Sequence, residues 1–230
     1  MYIQITDNCN MRCKHCCCSC GPRKKNFMSR VVFLKSVDHA LDYGMDISIG
    51  GGEPTCHPEF WEFMGLMLLK VYGNKYFEFS PWIATNGKNK EDAICLANMA
   101  KRGIICAELS RDIYHEEIDE DVVEAFEKGI KKGYMRDPNS NDCRGIRTNS
   151  GDRVIYAGRA IRSGIGAEFH CPCEDLFVDP MGNLFSCGCK KEKFGNVFDV
   201  QIPAEYYDRD DPCPVDWKKK KEVYECRQRS

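Results

Sequence analysis

Cys9, Cys13 and Cys16 stand at C-x3-C-x2-C spacing within Thr6-Asp7-Asn8-Cys9-Asn10-Met11-Arg12-Cys13-Lys14-His15-Cys16. Three thiolates on one loop can surround a small inorganic core. A [4Fe–4S] cube has four irons, so a three-cysteine loop leaves one iron without a protein ligand. An open position is what a reactive metal site needs, whereas a closed ligand set suits a structural one. Cys17, Cys18 and Cys20 follow at once and offer a fourth ligand. A zinc knuckle or a closed ferredoxin-type cluster is therefore the alternative use of the same residues.

Further stretches carry residue types suited to ligand binding. Gly50-Gly51-Gly52-Glu53-Pro54 lies about forty residues after the cysteine loop. Glycines let backbone approach a ligand closely, and Pro54 fixes the exit from the turn. Read blandly, the same run is a tight strand-to-helix turn. Thr85-Asn86-Gly87 and Ser110-Arg111-Asp112 follow later in the chain, with Tyr114 and His115 just beyond. His115 is a candidate proton donor or substrate contact, or else a solvated loop histidine. A second cysteine group begins with Cys171-Pro172-Cys173, continues at Cys187-Gly188-Cys189, and leaves Cys213 and Cys226 near the end.

The elements that must position these groups alternate between strand and helix. Tyr2-Ile3-Gln4-Ile5 is a short apolar segment directly before the first cysteine loop. Ser29 caps a helix in which Phe33, Val37, Ala40 and Leu41 recur at helical spacing, ended by Gly44. Residues 45–49 form a strand that runs into the glycines. Phe60, Phe63, Met64, Met67, Leu68 and Val71 mark the next helix and read as core packing. Tyr76-Phe77-Glu78-Phe79 and Ile83-Ala84 suggest a third strand, interrupted by Ser80-Pro81. A weaker helix over 91–102 precedes a strand over 104–109. Acidic residues in 116–124 open another helix with Val123, Phe126 and Ile130 on one face, and favour its dipole without needing a partner. Asp137 to Asp142 is loop chemistry, and 144–148 is a fifth strand. Such alternation indicates an α/β fold of parallel strands with crossover helices. A barrel of this kind collects ligands at the C-terminal ends of its strands, where the cysteine loop, the glycine run, Asn86, Ser110 and Asp112 all fall.

Composition bounds the class. The 230 residues are 43% hydrophobic and 30% charged, with net charge −2, which excludes global disorder and argues for no general attraction to nucleic acid or anionic membrane. Sixteen cysteines without an export signal or a transmembrane stretch point to metal ligands in a reducing compartment, and so to the cytoplasm. Lys218 to Lys221 read as a solvated face.

The cysteine loop resembles the CxxxCxxC signature of the radical S-adenosylmethionine (radical SAM) family, with His15 at its usual aromatic or histidine position. Gly51, Gly52, Glu53 and Pro54 match the family's Gly-Gly-Glu-Pro segment residue for residue, and Asn86 lies in a tripeptide that family members carry at the barrel mouth. The resemblance implies a partial (β/α) TIM-type barrel and a [4Fe–4S] cluster on Cys9, Cys13 and Cys16. It implies S-adenosylmethionine bound at the open iron and contacted by Gly51, Gly52, Glu53, Pro54 and Asn86. Ser110 and Asp112 would face the ribose or the substrate. Arg159, in Gly158-Arg159-Ala160, would meet the carboxylate or the substrate, or serve as a salt-bridged helix residue. The activity implied is reductive cleavage to a 5′-deoxyadenosyl radical that removes hydrogen from a substrate, with a reductant such as flavodoxin or ferredoxin. The family's glycine-rich adenine contact is not identifiable here.

From 170 onward the chain resembles the SPASM/twitch extension of the same family. Two apolar strands joined by Asp179-Pro180-Met181-Gly182-Asn183 form a cysteine-flanked hairpin, and Gly182-x4-Cys187 then Gly195-Asn196-Val197 fit the pattern. The resemblance implies an auxiliary iron–sulfur cluster with candidate ligands Cys171 or Cys173, Cys187, Cys189, and Cys213 or Cys226, and structural zinc as the rival. The expected domains are a barrel over 1–165 and the extension over 166–230. The expected substrate is compact: a small molecule, nucleoside or peptide undergoing dehydrogenation, epimerisation or isomerisation, as in oxidoreductases or isomerases. An iron–sulfur electron-transfer protein and a zinc-stabilised interaction module are the readings from other classes.

Overall fold

The computed structural model describes residues 1–74, 80–127, 142–148, 154, 157–165, 176–190 and 192–200. Its elements run β1 (Tyr2–Thr6), α1 (Arg30–Asp42), β2 (Ser48–Gly51), a 3-10 turn (Pro54–Cys56), α2 (Phe60–Gly73), β3 (Trp82–Thr85), α3 (Lys90–Lys101), β4 (Cys106–Ser110), α4 (Glu120–Glu127), β5 (Arg144–Arg147), α5 (Arg159–Arg162), β6 (Phe177–Val178), β7 (Asn183–Phe185) and β8 (Lys193–Asn196). One sheet holds all eight strands in the order β5-β4-β3-β2-β1-β6-β7-β8. The first six positions are parallel, and β7 and β8 add on antiparallel. This is an α/β fold with the open parallel sheet of a partial TIM barrel.

Parallel strands covered by helices on both faces read as continuous apolar runs. These strands alternate instead, because only one face meets helices. Ile3, Ile5, Ile49, Ile83, Ala107 and Leu109 point into the main core with α1 to α4. Tyr2, Ser48, Gly50, Trp82, Ala84 and Ser110 point the other way and line a cavity. The pattern of period two thus separates the packing face from the working face.

Local signals account for the helices. Ser29 Oγ accepts the Val32 N–H at 3.4 Å and caps α1, and Gly44 ends the turn after it at φ +62°. Phe33 of α1 and Phe63 of α2 stack with centroids 4.3 Å apart, both fully buried. Burying a side chain of that size contributes about 1.5–3 kcal/mol. Phe60, Met64, Met67 and Val71 complete the buried stripe of α2, with Leu68 at its margin. Val122, Val123 and Phe126 bury the face of α4.

Some boundaries differ from expectation. β2 spans Ser48–Gly51 rather than 45–49, because Gly50 and Gly51 pair with Gln4 and Thr6 of β1. β4 starts at Cys106, since the Ile104 N–H still bonds Met99 O and closes α3. The expected strand residues 76–79 and Ile130 lie outside the described residues. The C-terminal hairpin forms as β6 and β7, and β6 pairs with β1, so it extends the same sheet. Among the described residues no helix is long and apolar enough to cross a membrane.

Candidate active site

The cysteine loop leaves β1 and passes over the glycine run. Gly52 N–H donates to Thr6 O at 2.8 Å and Glu53 N–H to Asn8 O at 2.9 Å. A Cβ on Gly52 would lie 2.1 Å from Asn8 O, and one on Gly51 would lie 2.6 Å from Thr6 O. The protein's own backbone therefore requires glycine at both positions before any ligand arrives.

Arg159 secures the other side of the loop. Its backbone N–H donates to Cys16 O at 2.9 Å, and its guanidinium donates to Cys13 O at 2.6 Å and to Cys20 O. Gly158, at φ +59°, has no room for a Cβ, which would sit 2.0 Å from Cys17 O. The Gly158-Arg159 pair thus straps the loop through its carbonyls, a use that the resemblance did not indicate.

The three motif thiols sit in a setting suited to metal-bound sulfur. Cys9 Sγ accepts the Met11 N–H at 3.4 Å and an Asn86 Nδ2 hydrogen at 3.6 Å, and Cys16 Sγ accepts the Cys20 N–H at 3.3 Å. Burial pushes the Cys9 thiol up to about 12 and the Cys13 thiol up to about 11, so both stay protonated until a cation offsets the cost of the thiolate. Three soft donors on one loop, two of them supported by N–H groups, fit an iron–sulfur core.

Glu53 ties the strand ends together. It is buried, and its Oε1 accepts from Thr55 Oγ1 at 2.8 Å, Thr55 N–H at 3.3 Å and Thr85 Oγ1 at 2.9 Å, while Oε2 accepts the Asn86 N–H at 2.7 Å. Burial raises its pKa and these donors oppose the rise. Pro54 is buried and opens the 3-10 turn that presents Thr55. Asn86 Nδ2 also donates to Asn10 Oδ1 at 2.8 Å, which joins the end of β3 to the cysteine loop.

Ser110 lines the cavity at the end of β4. Asp112 lies just behind it with a side chain only 3% exposed. Its Oδ1 meets His115 Nδ1 at 2.8 Å and the Tyr114 N–H at 2.9 Å, and its Oδ2 is 3.7 Å from His15 Nε2. Burial pushes this carboxyl up, but the His115 and Tyr114 donors outweigh it and hold it at about 2. Asp112 Oδ2 and His15 Nδ1 are buried with no hydrogen-bond partner. His115 is thus a paired, largely buried side chain rather than a solvated one, and it lines the cavity with His15.

One cavity of about 510 Å³ runs along the inner face. At its upper end are Cys9, Cys13, Cys16, Gly51, Gly52, Glu53, Asn86 and Ser110; deeper along the strands are Tyr2, Trp82 and Phe177, with Arg147 on the β5 side. Tyr2 and Phe177 stack at 5.2 Å. These aromatic and basic wall residues were missed in the sequence, although each occupies the inward position that strand alternation marks. From the tail, Cys189 reaches the cavity and Cys187 is fully buried beside it. Cys171, Cys173, Cys213 and Cys226 lie outside the described residues.

Comparison with known proteins agrees with this geometry. The family profile described as Radical SAM superfamily matches residues 3–130, more than half of the chain. The chain belongs to the radical SAM superfamily, whose members use a [4Fe–4S] cluster and S-adenosylmethionine, and the cysteines here also fit an auxiliary cluster. A curated relative, the tungsten-containing aldehyde ferredoxin oxidoreductase cofactor-modifying protein of Pyrococcus furiosus, is 33% identical over 116 residues, covering 49% of this chain and 30% of the relative. The match thus spans under a third of that protein's length. Among solved structures, BtrN in complex with AdoMet and 2-DOIA superposes with TM-score 0.56 at 16% identity, covering 86% of this chain and 77% of that one. Native anSMEcpe with bound AdoMet and Kp18Cys peptide gives 0.54 at 16%, covering 88% and 78%. At such identity the likeness is one of fold.

Proposed function

We propose that this chain reductively cleaves S-adenosylmethionine and directs the resulting 5′-deoxyadenosyl radical to a hydrogen atom of a compact substrate. The observation that carries the reading is the single hydrogen-bonded unit formed by the cysteine loop, Glu53 and Asn86 at the upper end of one cavity. When bound, the cluster would supply one electron and an open iron for the amino and carboxylate groups of S-adenosylmethionine.

The remaining tasks fall to the chain's own residues. Cys9, Cys13 and Cys16 would hold the cluster, with the Met11 and Asn86 N–H groups directed at the Cys9 sulfur and the Cys20 N–H at the Cys16 sulfur. Gly51 and Gly52 would offer exposed backbone to the methionyl amino group, while buried Glu53 keeps that backbone in place through Thr55, Thr85 and Asn86. Ser110 would take a ribose hydroxyl, with His15 and His115 beside it and Asp112 behind them holding His115 through Oδ1. Arg159 acts on the loop as a positioning residue. Tyr2, Trp82 and Phe177 would form the apolar wall that keeps water from the radical.

The substrate is a small molecule, nucleoside or peptide, the reaction of oxidoreductase or isomerase type, and the reductant a flavodoxin or ferredoxin of a reducing, cytoplasmic compartment. Anaerobically reconstituted protein with dithionite and S-adenosylmethionine is expected to form 5′-deoxyadenosine. Bound iron without that product would favour an electron-transfer protein, and zinc alone would favour an interaction module.

A further inference from the structure

The cations of this chain are unevenly placed. Residues 7–25 carry five of them, Arg12, Lys14, Arg23, Lys24 and Lys25, against one acid, Asp7. The remaining residues hold 28 basic and 34 acidic side chains, so a local net charge of +4 sits on a chain that is otherwise −6. All five cations are exposed, and none makes an ion pair or a side-chain hydrogen bond among the described residues. Their neighbours differ, for Arg30 is paired with Glu62 and Lys88 with Glu116. Asp7 gives its carboxylate to Asn26, accepting the N–H at 2.9 Å and an Nδ2 hydrogen at 2.6 Å.

The fold gathers these residues at one place. Gly21 N–H donates to Asp7 O at 3.2 Å and Asn8 Nδ2 donates to Lys24 O at 2.6 Å, so the turn over 21–26 lies against the cysteine loop. The Arg12 stem joins it there, since a Cβ on Gly21 would lie 3.9 Å from the Arg12 Cγ. Lys14 stands between Cys13 and Cys16 in the chain. Successive Cα atoms are about 3.8 Å apart, which keeps its charge within a side chain's length of the motif. Phe27 follows the turn with a ring that is 37% exposed and held edge-on against His57 at 5.6 Å. The outer side of the cysteine loop is thus a basic surface with one fixed aromatic ring beside it.

We propose that Arg12, Lys14, Arg23, Lys24 and Lys25 form the docking face for an acidic one-electron carrier protein that reduces the cluster. Unpaired surface charge of one sign steers an oppositely charged partner and fixes its orientation. This face is the outside of the ligand loop, so a partner seated on it has a single layer of chain between itself and the motif cysteines. In the step served, the carrier is oxidised by one electron and the cluster is reduced by one. No bond forms or breaks, and no proton moves. The need for a reductant rests on the function proposed above; the face itself rests on the charge distribution.

The test uses full-length, anaerobically reconstituted chains, with flavodoxin, an acidic protein, as the probe. The chains are wild type, Lys14→Glu, Arg23→Glu/Lys25→Glu and a control, Lys101→Glu/Arg102→Glu. The control makes the same charge change as the patch double variant at the end of α3, next to the start of β4 and so at the opposite end of the parallel sheet. Two quantities are read: equilibrium binding of oxidised flavodoxin, and the rate at which reduced flavodoxin bleaches the cluster absorbance. Both patch variants are expected to bind more weakly and to be reduced more slowly by about tenfold at low salt. Raising the salt to about 0.3 M should slow wild type in the same way. Reduction by photoreduced 5-deazariboflavin, a small molecule that needs no docking face, should stay near wild type in every chain. Patch variants that match wild type in both readouts would overturn the proposal. So would a control that loses as much as they do, a wild-type rate indifferent to salt, or a wild type that flavodoxin neither binds nor reduces. If a charge-reversed chain does not fold, Lys14→Gln and Arg23→Gln/Lys25→Gln take its place, with a smaller loss expected and no loss counting against the face. Formation of 5′-deoxyadenosine with 5-deazariboflavin scores the cleavage reading separately, because neither binding nor bleaching requires it.

Discussion

Glu53 Oε2 accepts the Asn86 backbone N–H at 2.7 Å, and the Asn86 side chain reaches Cys9 Sγ at 3.6 Å. A buried carboxylate at the end of β2 thereby sets the side chain that supports the Cys9 thiol. Glu53→Gln keeps the shape but turns an amide N–H₂ toward donors that need an acceptor. An unsatisfied buried group of this kind costs about 1–3 kcal/mol. The variant is expected to unfold at lower temperature and to bind S-adenosylmethionine more weakly, as thermal unfolding and equilibrium binding would read.

Gly52→Ala places a methyl against Asn8 O, a backbone atom that cannot swing aside. The cysteine loop must lift, so reconstituted iron at the first site should fall several-fold. Gly65 of α2 has open space at its Cβ position. Gly65→Ala is the matched control, with stability changed by no more than about 1 kcal/mol and iron unchanged.

Cys13→Ala should abolish 5′-deoxyadenosine formation while part of the iron stays with the auxiliary site. Retained cleavage would remove Cys13 from the site.

Arg159→Ala deletes the guanidinium donors to the Cys13 and Cys20 carbonyls. If Arg159 positions the loop, iron should leave faster under chelator challenge while affinity for S-adenosylmethionine in fully loaded protein stays near wild type. An unchanged rate of iron loss with a large affinity loss would instead make it a ligand contact.

His57 brings a pH dependence. Its Nε2 donates to Met28 O at 3.0 Å and its Nδ1 accepts the Glu59 N–H at 3.1 Å, an arrangement of the neutral ring. Burial lowers its pKa, so the unfolded chain takes up a proton first, near the ordinary histidine value of about 6.5. Its contribution is fully present above that value and is lost as pH falls through it. The drop in unfolding temperature from about pH 7 to about pH 5 should be smaller in His57→Gln than in wild type; equal slopes would rule the contribution out.

Much of the molecule was legible in the residues. The C-x3-C-x2-C loop, the glycine run and Ser29 act through local spacing and backbone conformation, which a chain carries without its fold. The stripe from Phe60 to Val71 likewise follows from helical period alone. Other relationships depend on partners far apart in sequence. Arg159 binds carbonyls of a loop more than 130 residues earlier, Lys190 reaches Gln4 across the β1–β6 pairing, and the buried Glu53 holds Thr85 and Asn86. Hydrogen bonds of that kind have no period and no fixed spacing. Only the pairing of β6 with β1 brought Cys17 and Cys18 to the same cavity as Cys189, because strand order, not chain order, decides which loops share a wall.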